Sequence, residues 1–206
     1  MKKLLSIIIV IALAAPFFTA CKKGENDPGI SLKSRTARLV GEWEVLTYDQ
    51  KDTDNDGDTE TISVDGSSFM MTSVWSGTTY TSTGTASISM TIEKDGTFES
   101  VENYTITGDG YTITDNTTLK GVWYWADGNK ELETKGKEMF IMQTTDRTYF
   151  NGNDTYVYSY EGVQCPVSYV QIDMLKSKEL GIKMEGQYTS SNGVSTTTVE
   201  GTYEKK

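Results

Sequence analysis

The chain has 206 residues, 19 basic against 29 acidic, a formal net charge of −10 and 36% hydrophobic residues. That is enough for one domain with its own core, but it lacks the basic excess that holds nucleic acid or anionic lipid head groups. Histidine is absent, which excludes Ser-His-Asp and Cys-His catalysis and zinc sites built on imidazole.

Met1-Lys2-Lys3 is followed by an apolar run from Leu4 to Phe18, broken only by Ser6 and Pro16, and then by Thr19-Ala20-Cys21. A basic start, an apolar core and small residues before a cut describe a secretory signal peptide over 1–20. The run is shorter than the ~20 residues of a membrane-spanning helix. Small residues running directly into a cysteine resemble a lipobox, with Phe18 where such boxes usually carry Leu or another aliphatic residue. The resemblance implies that Cys21 is lipidated with palmitate-type chains and becomes the first mature residue; an ordinary cleaved signal with a chance cysteine is the alternative. Two or more acyl chains hold firmly, at about 0.8 kcal/mol per buried CH₂.

Taking Lys2 and Lys3 from the 19 basic residues leaves 17 against 29 acidic, a mature formal charge of −12. Any membrane attachment of this domain must therefore be covalent. Residues 21–30, with the polar stretch KKGENDPG from Lys22 to Gly29, read as a flexible tether. The expected location is the cell envelope, by resemblance the outer membrane, facing the periplasm or the surface. If lipid consumes Cys21, Cys165 has no intramolecular partner and reads as a small buried hydrophobe.

Residues 31–206 form one domain. The spacing of Leu32, Thr36, Leu39 and Val40 predicts two or three helical turns over 30–40. Next comes Asp52-Thr53-Asp54-Asn55-Asp56-Gly57-Asp58-Thr59-Glu60. Asp52, Asp54, Asp56, Asp58 and Glu60 around a turn-forming glycine match the first half of a calcium loop. Position 12 is Ser63 rather than a bidentate Glu, so a solvated acidic loop between strands is the other reading.

From there the period is two. Ile88, Met90 and Ile92 alternate with polar residues and lead into a hairpin at Lys94-Asp95-Gly96. Val170, Ile172 and Met174, then Leu180, Ile182 and Met184, repeat the pattern. Further strands are predicted at 42–48, 69–80, 104–107, 111–114, 122–126, 138–144, 155–160 and 194–203. Turn residues lie at 108–110, 127–129, 151–153 and 191–193, and one helical turn is predicted over 175–180. About nine or ten short strands with no long helix between them leave no room for βαβ units, so the fold class is all-β, an antiparallel barrel of about 8–10 strands. Trp75, Tyr80, Trp123, Tyr124, Trp125, Tyr156, Tyr158 and Tyr160 either fill this barrel or offer rings to a sugar or peptide, with core filling favoured.

Leu39-Val40-Gly41-Glu42-Trp43, the Lys94–Phe98 hairpin, Gly121-Val122-Trp123-Tyr124-Trp125 and the Tyr169–Met184 block resemble, in order and spacing, the lipocalin-like domains of bacterial lipoproteins. The resemblance covers roughly 34–204. It implies a barrel whose Gly-x-Trp tryptophan closes the base against an arginine from a late strand. The arginines here are Arg35, Arg38 and Arg147, none near the C-terminus. It also implies a non-catalytic protein that holds a small hydrophobic or amphipathic molecule. The alternative is an interaction or structural lipoprotein with a filled barrel that meets a protein or glycan. An enzyme ranks below both, since no carboxylate pair stands out as an acid and base couple.

Overall fold

The computed structural model describes residues 33–108, 111–127, 136–190 and 193–206. The signal peptide, Cys21 and the tether lie outside the described residues, as do the turn positions 109–110, 128–129 and 191–192. Ser34 opens a five-residue helix, α1 (Arg35–Leu39), by accepting the Ala37 amide on its hydroxyl at 3.1 Å, and Val40 already has extended backbone. The helix predicted over 30–40 is therefore shorter, because the hydroxyl of Ser34 takes the capping position that starts a helix.

Eleven strands follow: β1 (Gly41–Thr53), β2 (Thr59–Asp65), β3 (Ser68–Trp75), β4 (Thr78–Ile92), β5 (Thr97–Gly108), β6 (Tyr111–Trp125), β7 (Met139–Phe150), β8 (Thr155–Ser159), β9 (Val167–Leu175), β10 (Glu179–Ser190) and β11 (Gly193–Lys205). All pairings are antiparallel, and β1 through β7, β9, β10 and β11 close on one another while β8 lies along β7. The expected antiparallel barrel is thus present.

One extra pairing gives the barrel two unlike ends. Gly41 to Glu44 of β1 pair directly with Ile92 to Ser89 of β4, while the later half of β1 pairs with β2 and the earlier part of β4 with β3. The β2–β3 hairpin is inserted into the wall at one end only. Since barrel diameter grows with strand number, that end is wide and the end at Trp43 is narrow. At the wide end β8 pairs only with β7, and β10 beyond Lys183 only with β11, so the hydrogen-bonded wall is interrupted between them.

Several strands differ from their predicted limits. The run 69–80 is a hairpin, because Ser76 and Gly77 both adopt positive φ, 49° and 78°, the backbone of a two-residue turn whose twist suits the flanking strands. The segments 111–114 and 122–126 are one strand, β6, and β2 continues straight out of the acidic loop. Leu175 ends β9 instead of opening a helical turn, and the Lys176 amide donates to the Glu179 carbonyl at 2.8 Å to close a hairpin. A bulge beside Asp173 shifts the register there, so Leu175 is fully buried and Met174 is not. One extra residue in a strand turns the following side chain to the other face.

Candidate functional site

The narrow end is sealed. Leu39, Trp43, Ile92, Phe140, Val170, Leu175 and Leu180 are its fully buried side chains, and α1 plugs them. Each tryptophan N–H there has an acceptor: Trp43 donates to the Leu39 carbonyl at 2.7 Å, Trp123 to the Glu93 carbonyl at 2.8 Å, and Trp125 to the Thr36 hydroxyl at 2.9 Å. Trp123 and Trp125 share the inward face and meet Phe140 edge-on, whereas Tyr124 points out. The core-filling reading thus holds for this pair of tryptophans.

A cation does stand over Trp43, but it is not an arginine. Lys205 of β11 places Nζ 4.9 Å from the ring centroid and donates to the carbonyls of Arg38, at 2.8 Å, and Val40. Burial, and then the charge of Lys33, push its amine below the usual lysine range. The buried Arg38 spans the same floor and donates to the Leu175 carbonyl.

Above this floor the inward face changes character. Register carries the inward set up β5 as Phe98, Ser100, Glu102, Tyr104 and Ile106, opposite Gly121, Leu119, Thr117, Asp115 and Ile113 of β6. Phe98 is buried, but Ser100, Glu102, Tyr104, Ile106, Leu119, Thr117 and Asp115 all keep partial solvent access. The same holds for the inward Gln50, Asp52, Glu60, Ile62, Met71, Met142 and Met184. The inside of the wide half is therefore mixed: β5 and β6 line a cup that water reaches, while Tyr48, Val64, Phe69, Ala86 and Ile88 on the neighbouring strands are buried against it.

Glu102 sits at the centre of the lining. Tyr104 donates to its Oε2 at 3.3 Å, while Oε1 receives no hydrogen bond from a described residue. Burial raises its pKa, and the Tyr104 hydroxyl and Arg147 offset part of that rise. Tyr48, Tyr104 and Tyr203 lie close enough that, after burial, the Glu102 charge holds their phenols above the usual range, so they stay protonated donors. Tyr48 donates to Gln50 at 2.6 Å, Gln50 to Asp52 at 2.6 Å, and Thr197 donates to Asp52 as well. Asp115, directly opposite Tyr104, has its carboxyl raised by burial and accepts no hydrogen bond from a described residue. On the adjacent strand β7 Arg147 lies over Tyr149 at 5.6 Å, and Tyr149 stacks on Tyr156 at 6.2 Å.

The five carboxylates of the candidate calcium loop are not brought to one point. Asp52 faces into the barrel, and Glu60 accepts from Ser73 at 3.1 Å. Asp54 Oδ1 accepts the amides of Asp56 and Asp58 at 2.9 and 3.0 Å, Asp56 accepts from Asn55 at 3.1 Å, and Asp58 accepts the Ser76 amide at 2.9 Å. Among the described residues no group of three or more Cys, Asp or Glu side chains is placed to hold a metal. Cys165 is buried, as expected, and among the described residues it is a free cysteine.

No protein-family model, curated protein or solved structure matches the chain significantly. What the barrel holds must therefore follow from its own side chains. Sequence reasoning missed Glu102, Asp115 and Lys205. The first two break the apolar alternation of their strands, and only the register with Ile88, Met90 and Ile92 turns them inward. Lys205 had one signal, as the basic residue closest after Tyr203 in a strand whose start was predicted.

Proposed function

We propose that this chain is a lipid-anchored binding protein whose wide half holds a small amphipathic molecule. The observation that carries this reading is the gradient along the inward face of β5, where Phe98 is buried at the base and Ser100 to Ile106 above it keep partial solvent access beside buried Ile88, Ala86 and Phe69. A barrel of about eight strands has just room for side chains or one small ligand, and added strands increase that room. A Gly-x-Trp base under a cation from the last strand also agrees with a lipocalin-like relationship. Attachment rests on Cys21, which precedes a polar tether.

Native mass spectrometry of the gently purified, anchor-free domain tests the ligand reading. A retained small molecule that leaves on denaturation is the expected result. The second reading, a surface contact with a protein or glycan, rests on the outward exposure of Val163, Tyr124 and Tyr169. It expects a barrel that keeps nothing and takes up nothing from an envelope lipid extract.

A further inference from the structure

The molecule held in the cup, we infer, carries a positively charged nitrogen on a short apolar body; this rests on the binding reading above and names the class of ligand. Among the described residues the inward face of the wide half carries four carboxylates, Asp52, Glu60, Glu102 and Asp115, against one guanidinium, Arg147. Asp52 and Glu60 have neighbouring donors. From the described residues Glu102 receives a hydrogen bond on one oxygen, with Arg147 close enough to act on its charge, and Asp115 receives none. These two sit diagonally across adjacent strands, about 7–8 Å apart by sheet geometry.

Gathering four like charges on one lining, with burial raising the carboxyl of Glu102, is costly unless an opposite charge accompanies them. An anionic head group would add to that cost, and an uncharged one would leave it in place. A cation removes it. The surrounding rings favour the same choice. Tyr104, Tyr149, Tyr156 and Tyr158 share the inward face with the carboxylates, and ring faces attract alkylated ammonium groups.

A bare metal ion fits poorly, because calcium needs six to eight oxygen ligands at about 2.3–2.6 Å, and among the described residues no three acidic side chains are placed together to supply them. Ile62, Met71 and Ile106, partly buried and inward-facing, give the apolar body a surface between the charge and the mouth. The aromatic pair Trp75 and Tyr80, 6.3 Å apart and exposed, lies at the rim on the same face.

Isothermal titration calorimetry at physiological salt, which screens the general negative surface, compares octyltrimethylammonium, octyl sulfate and octyl glucoside on the anchor-free domain. The cation should bind at least about tenfold more tightly than the other two, the scale of a charge and ring contact away from water. Glu102→Gln and Asp115→Asn should each remove most of that preference, and Glu99→Gln, on the outward face of the same strand, should retain it. Circular dichroism establishes folding, and if one inward variant fails to fold the other decides. Equal affinity for the three probes, or a preference that a folded inward variant keeps, overturns the cation assignment and leaves the amphipathic-ligand reading standing. No binding of any probe, with an empty barrel in native mass spectrometry, overturns both.

Discussion

Lys205 shows how much one side chain can hold at the base of this barrel. Its amine sits over the Trp43 ring and donates to two carbonyls at the end of α1, so it joins the last strand to the helix and the first strand. Lys205→Met keeps the stem and removes the charge, and should destabilise the domain by about 2–3 kcal/mol. Trp43→Ala should cost about 3–5 kcal/mol as a core aromatic truncation. Chemical denaturation measures both, and a Lys205→Met midpoint equal to wild type would show that the ammonium adds nothing there. The tryptophan was legible from Gly41-Glu42-Trp43, but its partner was not, because the pairing of Trp43 with Lys205 depends on closure between the first and last strands.

Glu102 makes the complementary case, a residue that costs stability. Its folded pKa is raised above the ordinary 4.5 by burial, so the folded state favours the protonated carboxyl. Relative to an unaffected group, Glu102 is neutral and harmless below that ordinary value, and stability is lost as pH rises through the raised folded value. Glu102→Gln should therefore melt at a higher temperature than wild type at neutral pH, with the difference shrinking as pH falls toward 4.5. A difference independent of pH would place its cause in packing rather than in the charge. A carboxylate that lowers stability and, under the proposed function, serves binding would be the ordinary conflict between a site and its fold.

At the level of elements, the β2–β3 hairpin is the piece that widens the barrel, and the acidic loop sets its start. Asp54 bonds two amides of the turn around Gly57, whose φ is 84°, and Asp58 ties the loop to Ser76 in the neighbouring turn. Side-chain and backbone groups thus supply the bonds that shape the turn. Asp54→Ala should cost about 1–2 kcal/mol, and calcium and magnesium should raise the melting temperature by equal, small amounts through screening. A calcium-selective rise abolished by Asp54→Asn with Asp56→Asn would instead establish a metal site. Alternation revealed the strands where one face is apolar, as in β4 and β10. It gave only fragments of β6 and missed β2, where polar residues line both the cup and the outside and no contrast between faces remains. Bulges at Leu46, Thr145 and Asp173 shift the register in ways that no period of two can forecast.

Across the whole molecule, the two ends divide the work. The chain approaches the barrel at its sealed base, where Lys33 lies near enough to Lys205 to affect its amine and α1 packs against β9. The cup opens at the other end. Under the proposed anchoring, the tether from Cys21 joins the end remote from the mouth, so the ligand reaches the cup from the aqueous side. Two predictions follow from that geometry. Cys21→Ser should move the protein from the membrane fraction to the soluble fraction or leave an uncleaved precursor, since the proposed attachment point is the thiol. The released mature domain should also bind octyltrimethylammonium with the same affinity as the anchored protein in vesicles of uncharged lipid, within about threefold, because the base does not line the cup. Calorimetry on the two forms makes the comparison, with probe partitioning into protein-free vesicles subtracted. Affinity that rises well beyond threefold on anchoring would mean that the lipid surface forms part of the site and that the mouth, not the base, faces the membrane.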